Sequence, residues 1–251
     1  MIRLWAAFLC VFGFAAKANA ACEPVTYQGN DYTMCTAQIG DDVQLFHSNA
    51  EGRLYGNFGA VLDSLPDGQI LSFAMNAGMY HQDRRPVGLF IEDNTVVSEI
   101  VDGGGYGNFG LTPNGVFCIT PDRFAVIETQ AFRADTPDCT YATQSGPMLV
   151  INNELHPRFL VESDSRYIRN GVGVSADGQT ATFVISENTV NFHSFASLFR
   201  DHLGLPNALY FDGKVSRLYA PNLDRWDNGF PLGVIVGIVS PETVDAASSS
   251  D

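Results

Sequence analysis

The stretch that decides the fold is NALYFDGKVSRLY, residues 207–219, an apolar run that ends at Asp212 and Gly213 and continues into Ser216 and Arg217. Its consecutive apolar and aromatic residues predict a buried strand. A carboxylate at the end of a buried strand, next to a glycine that lets a ligand approach the main chain, is typical of a functional site on a rigid scaffold. Asp212 is therefore the first candidate functional residue.

Three other segments combine an apolar run with a polar residue beside glycine. They are ILSFAMNAGMY (residues 70–80), QSGPMLV (144–150) and RNGVGVS (169–175). Each places a hydrogen-bonding side chain where the main chain is open to close approach. We expect these three junctions and the Asp212 junction to converge on one pocket.

Short strands and turns account for most of the remaining sequence. Hairpins are predicted over residues 87–100, 116–129 and 172–186, with turns at 93–94, 121–122 and 177–178. Helical spacing of apolar residues is confined to 54–65 and 195–203. This pattern predicts an α+β fold in a single domain: a β-rich mixed sheet with hairpins and two main helices.

The order of these elements contains an internal echo. A helix, a strand, a polar-glycine junction and a Pro-x-Gly segment occur in this order near Asn76 and again near Asp212. Asn114-Gly115-Val116 and Asn170-Gly171-Val172 likewise open two hairpins. We state as a hypothesis that the domain has an internal pseudo-twofold, with the site near its axis.

The N-terminal segment is typical of a secretory signal peptide. Arg3 precedes an apolar run over residues 4–16, and Ala18-Asn19-Ala20 has the small-x-small pattern of a cleavage site. The run is shorter than the ~20 residues of a membrane span. We predict a signal peptide over 1–20, a domain over 21–240, a disordered polar tail over 241–251, and a periplasmic or extracellular location without a membrane span.

Four cysteines remain when Cys10 is removed with the signal peptide. An even number of cysteines in an exported chain indicates disulfides. We favour Cys22 with Cys35 and Cys118 with Cys139, because each pair closes a short loop and the first would tie down the N-terminus. The alternative, a metal cluster, lacks the C-x-x-C or C-x-x-H spacing of such sites.

The chain is acidic, with a formal charge of −14 that becomes more negative once Arg3 and Lys17 are removed. Such a surface repels nucleic acid and anionic membranes. An anionic ligand would therefore need a local group of arginines. The arginines within or beside the glycine junctions are Arg84, Arg85, Arg158, Arg166, Arg169 and Arg217.

Six motifs occur in order over residues 69–237: NAGMY (76–80), PVGL (86–89), GNFGLTPNGVF (107–117), TQSGPMLV (143–150), RNGVGVS (169–175) and NALYFDGKVSRLY (207–219). Together they resemble the phosphodiester glycosidase family. The resemblance rests on their order and spacing. Better-characterised family members continue the aspartate strand as Asp-Gly-Gly-Gly-Ser-Ser, whereas this chain reads Asp-Gly-Lys-Val-Ser.

The resemblance implies hydrolysis of a sugar-1-phosphodiester to a free sugar and a phosphomonoester, with a phosphodiester-bearing glycan as substrate. An oxocarbenium-like transition state needs a nearby carboxylate and a fixed cradle for the departing phosphate. Asp212 is the predicted carboxylate, Arg169 the predicted bidentate phosphate ligand, and Asn76 a third catalytic candidate. The predicted substrate-binding residues are Gly78, Ser145, Gly146, Asn170, Gly171, Gly213 and Ser216.

Two other functions remain open on the residues alone. A metal-assisted phosphodiesterase would use Asp212, Asp83 and His81 around a divalent cation, which no ligand motif demands. A non-catalytic glycan-binding module would keep the site but not the turnover. Ser145 is not expected to be a nucleophile, because its setting is not G-x-S-x-G and proline follows two residues later. No cofactor is predicted.

Overall fold

The structure of the protein is a computed structural model that describes residues 22–104, 107–212 and 215–242. The predicted signal peptide and Gly213 lie outside these ranges, and so does the predicted tail from residue 243 onward. The start of that tail was predicted too early, because the last strand continues through Pro241, which pairs with Gln69.

Strands make up most of the described chain. In chain order they are β1 (Cys22–Tyr27), β2 (Asn30–Gln38), β3 (Asp42–Phe46), β4 (Gln69–Asn76), β5 (Phe90–Glu92), β6 (Thr95–Ser98), β7 (Gly115–Ile119), β8 (Phe124–Glu128), β9 (Tyr141–Ser145), β10 (Met148–Ile151), β11 (Glu154–Leu155), β12 (Asn170–Val174), β13 (Thr180–Ser186), β14 (Asn207–Asp212), β15 (Leu218–Ala220), β16 (Arg225–Trp226) and β17 (Ile235–Pro241). The helices are α1 (Phe58–Leu62), α2 (Thr129–Ala134) and α3 (Phe192–Ser197). A π-helical turn, Leu198–His202, continues α3.

The strands of the described ranges form three sheets. The first has the order β1-β2-β13-β12-β14-β10-β11, the second β16-β15-β4-β17-β3, and the third β6-β5-β9-β7-β8. Every ladder between these strands is antiparallel. The prediction of one mixed sheet is therefore wrong. Many sheet neighbours are joined by short turns, a connection that only antiparallel strands can use.

The three predicted hairpins are confirmed as β5–β6, β7–β8 and β12–β13. Asp93 and Asn94 turn the first with φ of 45° and 61°, and Gly178 turns the third with φ of 74°. These left-handed conformations are the ones that Asn, Asp and Gly adopt most readily.

The helices differ from their predicted positions because capping side chains set their ends. Asn57 accepts a hydrogen bond from Ala60 N and starts α1, so only five residues of the predicted segment are helical. Asn191 starts α3 by accepting from Ser194 N. α2 was not predicted; the Glu128 carboxylate caps it by accepting from the main-chain N–H of the second and third residues after it.

The main hydrophobic core lies between the three sheets, and each sheet contributes phenylalanine to it. Phe183 of the first sheet lies 5.0 Å from Phe73 of the second and 5.6 Å from Phe117 of the third, between ring centroids. The outer faces are covered by the helices: α3 packs on the first sheet, α1 on the second and α2 on the third. This packing fixes the three sheets, and therefore the ends of their strands, relative to one another.

Both predicted disulfides are confirmed. Cys22–Cys35 joins β1 to β2, and Cys118–Cys139 joins β7 to the segment before β9. None of the helices in the described ranges has the length and apolar character of a membrane span. The pseudo-twofold stays a prediction.

Candidate active site

The predicted junctions meet where strands of all three sheets end or bend. Asn170 of β12 pairs with Asp212 of β14 in the first sheet. The Asn170 Nδ2 donates to Asn76 O at 2.7 Å in the second sheet. Ser145 Oγ of the third sheet donates to Phe211 O at 2.9 Å. Four separate sequence segments therefore share one hydrogen-bonded junction.

Two fully buried amides, Asn76 and Asn170, form the centre of this junction. Asn76 Oδ1 accepts from Asn170 Nδ2 at 3.1 Å and from Arg217 N at 2.8 Å. Asn170 Oδ1 accepts from Asp212 N at 3.1 Å, with Ser216 Oγ at 3.3 Å. The pair consequently fixes the main chain on both sides of the carboxylate, at Asp212 and at Arg217.

Asp212 lies at the end of β14, half-buried, on the wall of a cavity of about 760 Å³. The other lining residues are Met79, Tyr80, His81, Val87, Gly104, Gly107, Asn108, Phe109, Ser165, Tyr167 and Val215. A cavity of this size fits a small ligand and is mostly formed by apolar and aromatic side chains with a few polar groups. A separate cavity of about 430 Å³ is lined by none of the predicted catalytic or substrate-binding residues.

Arg169 is fully buried, and described residues occupy its guanidinium. Nε donates to Val190 O at 2.9 Å, Nη2 to Ser165 O at 2.9 Å, and Nη1 to Tyr210 Oη at 3.3 Å. Its Cζ lies 3.7 Å from the ring centroid of Phe192. Burial lowers the pKa of Arg169. These contacts explain the residue as a positioning group beneath the cavity wall, and direct contact with a phosphate stays a prediction.

The predicted substrate-binding glycines have close neighbours in the described chain. A Cβ at Gly78 would lie 2.9 Å from Thr143 Oγ1, one at Gly171 would lie 2.5 Å from Leu209 O, and one at Gly146 would collide with Asn114. Tight packing alone therefore requires glycine at these positions. Their contact with substrate stays a prediction, as does that of Gly213, which lies outside the described residues.

The two predicted serines both contact main-chain carbonyls. Ser145 is fully buried, and its hydroxyl donates a hydrogen bond to Phe211 O. Ser216 Oγ donates to Asp212 O at 2.8 Å, with Ile168 O at 3.1 Å as an alternative acceptor. Both hydroxyls therefore hold the aspartate strand, and a substrate contact for either stays a prediction.

The sequence reasoning missed three tyrosines around the carboxylate. Tyr80 and Tyr167 line the cavity, and Tyr210 lies behind it, where its hydroxyl accepts from Arg169 and from Asn108 Nδ2 at 3.4 Å. The pKa of Tyr80 is raised, first by burial and then by the charge of Asp212. Burial also raises the pKa of Tyr210. Both phenols are thus protonated at neutral pH.

The groups proposed for a metal ion do not form a ligand cluster. Among the described residues, no group of three or more His, Cys, Asp and Glu side chains is arranged to hold a metal ion. His81 lines the cavity with Asp212, but Asp83 pairs at the surface with Arg85 at 2.6 Å. The metal-dependent alternative therefore draws no complete ligand set from the described residues.

Comparison with known proteins agrees with the resemblance carried by the motifs. A family model for phosphodiester glycosidases matches residues 70–231, which include Asn76, Arg169 and Asp212. The chain belongs to the phosphodiester glycosidase family. This phosphodiester glycosidase family member is 32% identical over 211 residues to uncharacterized protein YigE of Escherichia coli K12, covering 84% of this chain and 81% of that protein.

Solved structures share the fold of this phosphodiester glycosidase family member. One is the catalytic domain of zebrafish N-acetylglucosamine-1-phosphodiester alpha-N-acetylglucosaminidase, auto-inhibited by its pro-peptide. The two structures align with a TM-score of 0.58 and 13% sequence identity, and the alignment covers 88% of this chain and 82% of the zebrafish chain. Another is a putative exported protein from Burkholderia pseudomallei K96243, which aligns with a TM-score of 0.50 and 10% sequence identity. That alignment covers 83% of this chain and 74% of the Burkholderia chain. At these identities the likeness is one of fold.

Proposed function

We propose that the protein is an exported hydrolase that cleaves the sugar C1–O bond of a sugar-1-phosphodiester in envelope or extracellular glycans. The observation that carries the proposal is the placement of Asp212 at a strand end, on the wall of the cavity, in a chain of the phosphodiester glycosidase family. Its main chain is held by Asn170, and through Ser216 as well. A carboxylate fixed in this way is pre-organised for charge stabilisation.

The reaction exchanges one bond at the anomeric carbon. Water forms a bond to C1, and the C1–O bond to the phosphate breaks with its electron pair on the phosphate oxygen. The proton that the water loses passes to that oxygen or to solvent, and the products are free sugar and a phosphomonoester. Because a phosphate is a good leaving group, the site needs no strong general acid. Asp212 stabilises the positive charge that develops on the sugar ring in the oxocarbenium-like transition state.

The remaining predicted residues act on Asp212 in this proposal. Asn76 and Asn170 are fully buried, so they position the carboxylate strand instead of binding sugar hydroxyls. Arg169 and Tyr210 form the layer behind the cavity wall. Export is supported by the two disulfides, which persist in oxidising compartments, and by the N-terminal sequence.

Product analysis in oxygen-18 water tests the reaction. The purified mature protein is incubated with a panel of α- and β-sugar-1-phosphodiesters, with the Asp212→Asn variant as control. Label on the sugar supports C–O cleavage. Label on the phosphate overturns the proposal and favours a phosphodiesterase. Tight binding of glycan diesters without turnover by the wild type identifies a glycan-binding module.

A further inference from the structure

Arg217 is a buried arginine whose guanidinium has no bonded partner in the described chain. Its exposed fraction is 9%. The main-chain N–H donates to Asn76 Oδ1 at 2.8 Å, so the residue is fixed at its backbone. Among the described residues, however, its guanidinium forms neither a hydrogen bond nor an ion pair. A buried charge is normally paired, because burying it unpaired costs free energy.

The guanidinium of Arg217 still reaches solvent. The fully buried polar side-chain atoms without a partner in the described ranges are Tyr32 Oη, Asn76 Nδ2 and Asn114 Oδ1. The nitrogens of Arg217 are not among them, so the remaining exposed surface of this residue includes its guanidinium. Part of this cation, which forms no hydrogen bond or ion pair with the described residues, is therefore open to solvent.

The main chain at Gly229 packs closely against the guanidinium of Arg217. A Cβ at Gly229 would lie 2.5 Å from Arg217 Nη2, and Gly229 has φ of 144°, so glycine is required there. The nearby carboxylate of Asp227 is occupied elsewhere: it pairs with Arg225 at 2.9 Å and accepts from Leu218 N at 2.9 Å. Burial lowers the pKa of Arg217 more than the negative charge of Asp227 raises it. No carboxylate in the described ranges, however, forms an ion pair with Arg217.

A second arginine, Arg84, belongs to another loop but lies near residues 229–232. It is half-buried, and its Nη1 is 3.0 Å from the position of a Cβ at Gly56. That Cβ position lies 3.6 Å from Pro231, whose carbonyl oxygen accepts from Tyr80 Oη at 3.1 Å. The Arg84 guanidinium also forms no hydrogen bond or ion pair among the described residues. Two unpaired arginines therefore flank Tyr80 and residues 229–232.

Electrostatics connect this pair to the candidate active site. Burial raises the pKa of Tyr80; the negative charge of Asp212 raises it further, whereas Arg217 and Arg84 lower it. The phenol is consequently within electrostatic reach of the carboxylate and of both cations. In a chain with a formal charge of −14, two arginines that both act on Tyr80 and form no ion pair among the described residues add positive potential beside it.

We propose that Arg84 and Arg217 form an anion subsite beside Tyr80, next to the Asp212 cavity, that binds a phosphate-type oxyanion. The forked N–H groups of guanidinium match the oxygens of such an anion. In the proposed reaction, on which this assignment of a role rests, the subsite holds the phosphodiester group while Asp212 faces the sugar. Arg217 then replaces Arg169 as the main phosphate ligand.

Binding of inorganic phosphate tests the subsite without requiring turnover. Phosphate is titrated at constant ionic strength against the wild type, Arg217→Gln and Arg84→Gln, and binding is followed by the ³¹P NMR line width. The matched control is Arg85→Gln, because Arg85 is next to Arg84 in sequence, exposed, and paired with Asp83. The expected result is binding by the wild type and the control, weakened at least about tenfold in the two test variants.

Three results overturn the subsite: no phosphate binding by the wild type, unchanged binding in the two test variants, or equal weakening in all three variants. If Arg217→Gln does not fold, Arg84→Gln and the charge-retaining Arg217→Lys decide. Arg84→Gln must then bind phosphate more weakly than Arg217→Lys does. The oxygen-18 experiment is independent of these titrations. If the products show C1–O cleavage but the variants bind phosphate as the wild type does, the subsite is rejected and the proposed function is retained.

Discussion

Two buried arginines, Arg169 and Arg217, differ in what surrounds their guanidinium groups. Arg169 is enclosed by two main-chain carbonyls, a tyrosine hydroxyl and the ring of Phe192. Arg217 is covered by Gly229 and bonded to no described acceptor. A satisfied guanidinium stabilises the fold, whereas an unsatisfied one retains donors for a ligand. The two residues are of the same type, and only their hydrogen-bond partners distinguish a structural arginine from one proposed to bind a ligand.

The largest expected effect is at the carboxylate of Asp212. Asp212→Asn should lower kcat for a sugar-1-phosphodiester by about a thousandfold, because it removes the charge that stabilises the transition state. Its main-chain bond to Asn170 remains, so the melting temperature should stay close to that of the wild type. Steady-state kinetics and thermal unfolding measure the two quantities. Unchanged turnover in Asp212→Asn would contradict the role of Asp212 as the catalytic carboxylate.

Replacement of Arg169 should affect stability more than ligand binding. Arg169→Met leaves Ser165 O without its donor and removes one of the two donors to Val190 O, which also accepts from Tyr167 N. The variant should therefore lower the free energy of unfolding by about 3 kcal/mol. Urea denaturation measures this change. A variant that unfolds like the wild type but loses phosphate affinity would reverse the comparison and restore Arg169 as the phosphate ligand.

The amide pair links the two regions, so its replacement should disturb both catalysis and stability to a smaller extent. Asn170→Ala removes the acceptor for Asp212 N and should cost about 2 kcal/mol of unfolding free energy. It should also reduce kcat about tenfold through a displaced carboxylate, with a smaller change in KM. An unchanged kcat in the folded variant would show that Asp212 is held by other contacts.

The smallest effect concerns pH and the aromatic stack beneath Arg169. His156 is stacked on Phe159, which is stacked on Phe192, and burial lowers the pKa of His156 below its ordinary 6.5. The neutral ring is favoured in the folded chain, so its contribution is present above pH 6.5 and is lost as the pH falls through the folded pKa. His156→Gln should flatten the decline of unfolding free energy between pH 7 and pH 5. An equal decline in both proteins would contradict this.

The sequence predicted the features that depend on neighbours along the chain. Turn residues such as Asp93-Asn94 and Gly178 placed the hairpins, and the short loops between cysteines placed both disulfides. The ends of α1 and α3 were predicted less well, because Asn57 and Asn191 act as caps that apolar periodicity does not reveal.

Features that depend on distant residues could not be predicted from the motifs. The acceptors of Arg169 come from Val190 and Ser165, and the segment over Arg217 comes from Gly229. The junction of Asn76 with Asn170 joins residues 94 positions apart. Such pairings follow from the arrangement of three sheets around one core, which the prediction of a single mixed sheet did not contain.

The shared core has a consequence for how the molecule comes apart. Phe183 contacts rings from both other sheets, so no sheet can melt while its neighbours keep their packing. Heating should therefore give a single cooperative transition. Because Asp212, Asn76 and Ser145 belong to different sheets, loss of catalytic competence and loss of structure should coincide in temperature.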